Sequence, residues 1–499
     1  MKKTIYIILL FALVFSACDD GFDELNVNPT KPSQIDVRNK MTAVELYTSG
    51  RRYESWRANL IYSSTMMQHF ASTAGYWSGD KYTWNRGYAA SLIDAYTTTA
   101  VKNVEDMILQ LNTEEAPKEM KAVTRILRVF IYHRLTDMYG DVPYSEAGKA
   151  VIEGILTPKY DAQSAIYADM LKELEQSAAD LSSGDSGFGA ADIIFHGDQG
   201  KWKRFANSMM LRLALRMIKV DPAGAKEWAT KAINGGVMTS NDDIAYVEHT
   251  PGPEGINKNG NGEVFTVDSN MRMSKTFVDF LQDDPRLPIL AQRREDGSTD
   301  PADLKGLPNG LDLKMLEELT GETNTNAYAE PNRTKITGED APMFFQTYAE
   351  VEFMLAEANV RWGIGGDAEG HYNNGVRAAM KMLVLYTPDA AIADADIDAY
   401  LAAHPYDAAN ALEQINTQYW IATFLNEYEA FANWRRVGYP KLVPVNYPGN
   451  VTHGTIPRRL TYPTSEESNN AENLAAAIAA QGPDELTTRV WWDVQNSSD

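Results

Sequence analysis

The chain has 499 residues, a formal net charge of −22 and a single cysteine. That charge argues against a nucleic-acid binder and against electrostatic adhesion to anionic lipid, because both need clustered cations. With 44% apolar and 10% aromatic residues the chain is not disordered, and one cysteine supports neither an internal disulfide nor a multi-cysteine metal site.

Met1, Lys2 and Lys3 precede an apolar run from Ile5 to Phe15, too short to span a bilayer and built like the centre of a secretory signal. It ends in Phe15-Ser16-Ala17-Cys18, which reads as a lipoprotein cleavage point. Residues 1–17 are then removed and Cys18 takes the lipid, several acyl chains giving durable attachment to a membrane. A transmembrane anchor or a buried free thiol are the competing readings. Residues 18–35 are polar, carry Pro29 and Pro32, and read as a tether.

The next unusual stretch is Ser72 to Tyr88, STAGYWSGDKYTWNRGY. Five of the 13 residues from Tyr76 to Tyr88 are aromatic, while Gly75, Ser78, Gly79, Asp80 and Asn85 break any period, so a loop is expected. Its rings either plug down onto a core or face outward to stack on something flat. Stacking suits sugars, whose apolar C–H faces lie on Trp and Tyr while their hydroxyls bond to polar neighbours. On that reading Trp77 and Trp84 lead, then Tyr76 and Tyr82, with Asp80 and Asn85 as polar partners.

Helical periods follow. Val123, Leu127, Ile131, Leu135 and Met138 share a face, as do Trp202, Phe205, Met209, Leu213 and Met217. The second helix adds Met210, Leu211, Leu215 and Ile218, is apolar nearly all round, and is expected at the centre. Between them Tyr139-Gly140-Asp141-Val142-Pro143-Tyr144 stops a helix and turns the chain, a folding role. Ala223 to Gly235 reads as a looser copy of the helical hairpin found further along. From 239 to 341 turn residues dominate, with a short strand expected over Glu263 to Val267. Loops of that length are uncommon and usually functional. Phe344, Tyr348, Val351, Leu355, Ala358 and Trp362 form one stripe; Ala368, Tyr372, Val376, Ala379 and Leu383 form another across a glycine turn. Helix, turn and helix with alanines at close contacts is the signature of a tetratricopeptide-like hairpin. Beyond 439 the chain is loop-rich, apart from a helix over Asn470 to Gln481.

Catalytic and metal motifs are missing. There is no G-x-S-x-G, H-E-x-x-H or P-loop, and Asp394, Asp396 and Asp398 fail as a calcium loop at Ala399 and Pro405. Glu427/Glu429 and Glu466/Glu467 are sequence neighbours in arginine-rich company, unlike the opposed carboxylates of a glycosidase. Glu427 and Glu429 are expected to pair with Arg435 and Arg436, and Arg458 and Arg459 with Glu466 and Glu467. No enzyme, cofactor or metal is expected.

Several segments together resemble the SusD/RagB-type nutrient-binding outer-membrane lipoproteins of Bacteroidetes: FDELNVNPTKPS after Cys18, RLTDMYGDVPYSEA at Arg134–Ala147, KWKRFANSMMLRLALR at Lys201–Arg216, YAEVEFMLAEA at Tyr348–Ala358, NEYEAFANWRRVGYP at Asn426–Pro440 and IPRRLTYPTSEESNN at Ile456–Asn470. The resemblance implies a mainly α fold of four tetratricopeptide-like hairpins with an irregular ligand-facing side. It implies one SusD-like domain over 36–499, with a helical scaffold over about 36–238 and 342–438, an insertion over about 239–341 and a C-terminal segment over about 439–499. It also implies lipid anchoring at the cell surface, for which Asp19, Asp20, Asp23 and Glu24 serve as an acidic tag, and a SusC-like TonB-dependent barrel as partner. The ligand it implies is a glycan, or a peptide in the RagB manner. Starch-binding relatives use an aromatic arc partly from an early loop, a match by region and not residue by residue.

Overall fold

The computed structural model describes residues 35–495 apart from 151, 152 and 254. The expected signal segment, Cys18 and all but the last residue of the tether lie outside the described residues. Helix α1 (Val37–Ser49) starts on Asp36, whose side chain accepts the Arg38 backbone N–H at 2.8 Å. Helix α2 begins as an α-turn over Arg52–Glu54 and widens into a π-helix over Ser55–Ser64. Extended π-helix is rare and tends to occur at functional sites. Here the hydroxyls of Ser63 and Thr65 bond back to the carbonyls of Ala58 and Ile61, at 2.8 and 2.6 Å, helping to satisfy the loosened turns.

Helix α3 runs from Ser91–Tyr96 through a π turn at Thr97–Val101 to Lys102–Leu111. Antiparallel hairpins follow: α4 (Lys118–Tyr139) with α5 (Gln163–Asp180), α6 (Gln199–Arg216) with α7 (Pro222–Gly235), then α9 (Tyr348–Trp362) with α10 (Ala368–Lys381). In the last pair Thr347 and Glu350 make a capping box, and Gly375 lies so close to Phe353 that a Cβ there would meet the ring at 2.6 Å. The tightest contact is thus made by a glycine, where the sequence pattern placed alanines. Helices α11 (Asp394–Ala403), α12 (Ala411–Ala422), α13 (Glu427–Val437) and α14 (Ala471–Gln481) complete the scaffold. Asp394 and Asp398 pair with Arg377 on α10.

Strands are short and pair two by two, all antiparallel. β1 (Phe70–Ala71) meets β5 (Arg272–Met273) and β2 (Val142–Pro143) meets β3 (Tyr160–Asp161). β4 (Ala245–Val247) meets β8 (Met343–Gln346) and β6 (Ala291–Arg293) meets β7 (Ala329–Pro331). Phe344, expected to open a helical stripe, therefore lies in β8, and α9 begins after it. The expected strand at Glu263 to Val267 is instead helix α8 (Gly260–Val267). Asn259 caps it through the Gly262 N–H at 2.9 Å, and Gly262 packs where a Cβ would sit 2.2 Å from the Gly338 carbonyl. Cap and packing outweigh the β preference of Val264, Phe265 and Val267.

Helix α6 is central, as its composition forecast, and is buried nearly all round. Its core face also carries two arginines. Arg212 bonds Glu350 of α9 at 2.5 Å, and Arg216 bonds Glu429 of α13 at 2.6 Å and Asp137 of α4 at 3.3 Å. Tyr419 of α12 donates to Glu429 at 2.7 Å, and Trp492 donates to Asp137 at 3.1 Å. Burial acts to raise the Glu429 carboxyl, but Arg212 and Arg216 outweigh it and hold it down at about 2.

This network corrects the expected local pairings. Glu427 takes His69 Nδ1 at 2.7 Å, and Arg436 takes Glu357 of α9 at 2.5 Å. Arg435 donates to the carbonyls of Asp137 and Arg458, at 2.6 and 2.9 Å. Arg458 pairs with Asp493 and Arg459 with Asp484, while Glu467 pairs with Arg86 and Glu466 accepts the Tyr160 hydroxyl. Acids and bases close in sequence instead found partners far along the chain, on other helices or in loops.

Candidate ligand-binding site

The aromatic loop leaves β1 and folds back over α2. Gly79 touches α2 so closely that a Cβ would lie 2.3 Å from the Ile61 carbonyl. Asp80 is buried and accepts Asn309 Nδ2 at 2.6 Å and the Gly310 N–H at 3.1 Å. Buried Lys81 donates to the carbonyls of Ser72 and Ala74, at 2.7 and 3.2 Å. These bonds pin the loop and satisfy its own backbone. Its rings can therefore go inside.

Trp77 is fully buried and Tyr82 is 1% exposed, so neither faces solvent as the stacking reading expected. Asp80 is a buried acceptor, and Asn85 caps the short helix Arg86–Ala89 through the Tyr88 N–H at 3.1 Å. Only Tyr76 (37%) and Trp84 (43%) keep substantial exposure. The structure does not gather these two on common partners. Trp84 donates to Thr461 Oγ1 at 3.2 Å and lies beside Arg86, whereas Tyr76 faces α2.

Tyr76 and Trp77 belong to a cluster built on Asp268, just past the end of α8. One carboxylate oxygen, Oδ2, accepts Trp56 Nε1–H at 2.9 Å, the Tyr76 hydroxyl at 2.8 Å and Trp77 Nε1–H at 3.1 Å. The other, Oδ1, accepts the Asn270 backbone and side-chain N–H groups at 2.9 and 3.0 Å. Five donors make a carboxylate only 3% exposed tolerable. Asp268 thereby aligns Trp56 edge-on to Tyr76, ring centroids 6.4 Å apart. Burial, then the bond to Asp268, pushes the Tyr76 phenol up to about 12, so it stays a neutral donor.

Trp56 opens onto a cleft of about 590 Å³ at the junction of α1 and α2. Tyr47, Arg51, Arg52, Tyr53 and Arg57 line it with Trp56, closed by Gly255, Ile256 and Glu263. The volume suits a small ligand. Tyr53 is 42% exposed. The Arg57 guanidinium lies 3.9 Å from the Tyr53 ring centre, 5.1 Å from that of Tyr88 and 5.7 Å from that of Trp56. Aromatic faces and guanidinium donors thus share one concave surface, with Glu263 its only carboxylate among the described residues. Among the described residues no three His, Cys, Asp or Glu side chains are placed to hold a metal.

Sequence reasoning missed Tyr47, Tyr53 and Trp56. The available signal was YTSGRRYESWR at Tyr47–Arg57, three aromatics and three arginines in 11 residues beside a glycine.

No curated protein sequence matches the chain. Residues 29–463 match the SusD-like family model, described as starch-binding and associating with the outer membrane. Among solved structures, a chitin-binding protein is 35% identical with a TM-score of 0.83, the match covering 92% of this chain and 100% of that one. A SusD-like protein of Bacteroidetes AC2a is 26% identical with a TM-score of 0.80, covering 92% and 100%. A SusD homologue from Bacteroides uniformis is 25% identical with a TM-score of 0.77, covering 93% and 100%. No helix among the described residues is long and apolar enough to cross a membrane. By this match over most of its length, the chain belongs to the SusD-like family.

Proposed function

We propose that the chain is a cell-surface glycan-binding lipoprotein, anchored through Cys18, that captures oligosaccharide and hands it to a SusC-like TonB-dependent transporter. The observation that carries the glycan reading is the cleft at the α1–α2 junction, where Tyr53 and Trp56 offer ring faces beside guanidinium donors. Tyr76 stays in the site as the ring that backs Trp56, and Trp84 remains a separate exposed candidate. Trp77, Tyr82, Asp80 and Asn85 act from beneath, as the frame of the loop. The 35% identity to a chitin-binding protein makes N-acetylglucosamine oligomers the first ligands to try.

Calorimetric titration with N-acetylglucosamine oligomers tests the reading. Saturable heat that falls at least about tenfold in affinity in Tyr53→Ala, near 1.4 kcal/mol, is the expected result. Heat with peptides alone would replace the glycan reading by peptide capture.

A further inference from the structure

The net charge of −22 should make the surface repel anionic ligands, yet the candidate cleft has the opposite local sign. Arg52 is exposed and has no carboxylate partner among the described residues. Arg57 also lacks one. Its only hydrogen bond is a long one, 3.4 Å, to the Tyr53 carbonyl. Arg51 is partly matched by the buried Glu54 at 3.6 Å. Every other arginine among the described residues has a carboxylate partner or, like Arg134, Arg272 and Arg435, gives its guanidinium to buried backbone carbonyls. Among the described residues, one carboxylate of the cleft, Glu263, stands against the two unmatched guanidiniums, and it has no cation partner of its own.

The other wide clefts differ. One of about 490 Å³ is lined by Asp279, Asp283, Asp407 and Glu413 and is acidic. Another, of about 500 Å³, has both its arginines paired, Arg125 with Glu173 and Arg128 with Glu105; of its lysines, Lys149 pairs with Glu153 and Lys121 donates to the Thr113 carbonyl. Unmatched arginines are thus confined to the cleft that also holds the exposed rings. In a chain rich in acids, two arginines left open side by side are free to meet an anion from outside. A guanidinium stacked on a ring is held flat with its edge N–H groups outward, which matches the two oxygens of a carboxylate or sulfate. Arg57, against Tyr53, Trp56 and Tyr88, is held in that way.

We infer that this cleft selects an anionic sugar, a uronate or a sulfate ester, whose ring lies on Tyr53 or Trp56 while Arg52 and Arg57 take its charge. The inference rests on the glycan-binding reading and narrows it. Attraction of this kind acts within a Debye length of about 8 Å at physiological salt, so a local pair of cations can prevail over a distant net charge.

The test titrates the full-length chain in detergent with three oligosaccharides of equal length: an N-acetylglucosamine oligomer, an oligogalacturonate and a sulfated chondroitin oligosaccharide. At low salt at least one acidic ligand is expected to bind at least about tenfold tighter than the neutral one. That ratio should shrink as salt rises, and should fall toward one in Arg52→Gln/Arg57→Gln. Arg57→Lys, which keeps the charge but loses the fork, should lie between. The better acidic ligand tells carboxylate from sulfate. Neutral binding as tight as both acidic ligands overturns the inference and leaves the glycan reading standing. Binding of none of the three overturns both.

Discussion

Removing the Trp77 ring and removing the Trp84 ring should have opposite signatures. Trp77 is fully buried and bonded to Asp268, so Trp77→Ala is expected to cost about 3–5 kcal/mol and lower the melting temperature sharply. Trp84 is 43% exposed, and Trp84→Ala is expected to cost less than about 1 kcal/mol. Thermal denaturation of the two variants side by side checks both. His371 supplies a pH-dependent case. Its Nδ1 pairs with Glu352 at 2.7 Å and its Nε2 meets the Gly365 carbonyl at 2.7 Å. The bond to Glu352 raises its pKa, so its contribution is full below the ordinary 6.5 and is lost as pH climbs through the raised folded value. His371→Gln should remove that part of the fall in melting temperature above pH 6.5. The density of rings in the Ser72–Tyr88 loop was plain in the sequence, but the direction of each ring was not. Asp268, 191 positions from Trp77, decides it, and no local pattern points there.

Elements with a local period were legible. The stripes of α4, α6, α9 and α10, the glycine turn between the last two and the Ala-rich α14 stand where their patterns put them, except at stripe ends, where Phe344 lies in β8 and Met217 and Leu383 lie in 3-10 turns. The strand expected at Glu263–Val267 became α8 because residue preference ignored a cap at Asn259 and a backbone contact at Gly338, both set by tertiary packing. The ionic network on α6 was illegible for the same reason: Arg216 and Glu429 lie 213 positions apart. Glu429→Gln is expected to destabilise by about 3–5 kcal/mol, because Arg212 and Arg216 would stay buried without their shared counter-charge. Denaturant titration measures it. At the loop, Gly79→Ala should push the chain off the Ile61 carbonyl and lower both the melting temperature and ligand affinity, since α2 carries Tyr53 and Trp56.

For the whole molecule, α2 packs on α13, α8 and the aromatic loop, and its buried residues belong to the same continuous core as the hairpins. A rigid frame places ring faces in advance of any ligand and so reduces the ordering cost of capture. The same frame explains why a loop so rich in rings contributes only part of its aromatics to the surface: most of its side chains fasten the cleft in place. The family was legible from six separated motifs; the ring-and-arginine run at Tyr47–Arg57 was visible too, but that it meets Gly255, Ile256 and Glu263 in one cleft was not, because those residues arrive only through the fold. The most direct measurement is calorimetry of the full-length chain with the neutral and acidic oligosaccharides, in the native form and in Tyr53→Ala. Saturable binding that weakens about tenfold or more in Tyr53→Ala, with the melting temperature within about 2 °C, is the expected result. Binding that Tyr53→Ala leaves unchanged, or no binding to any glycan, would contradict the cleft as the site.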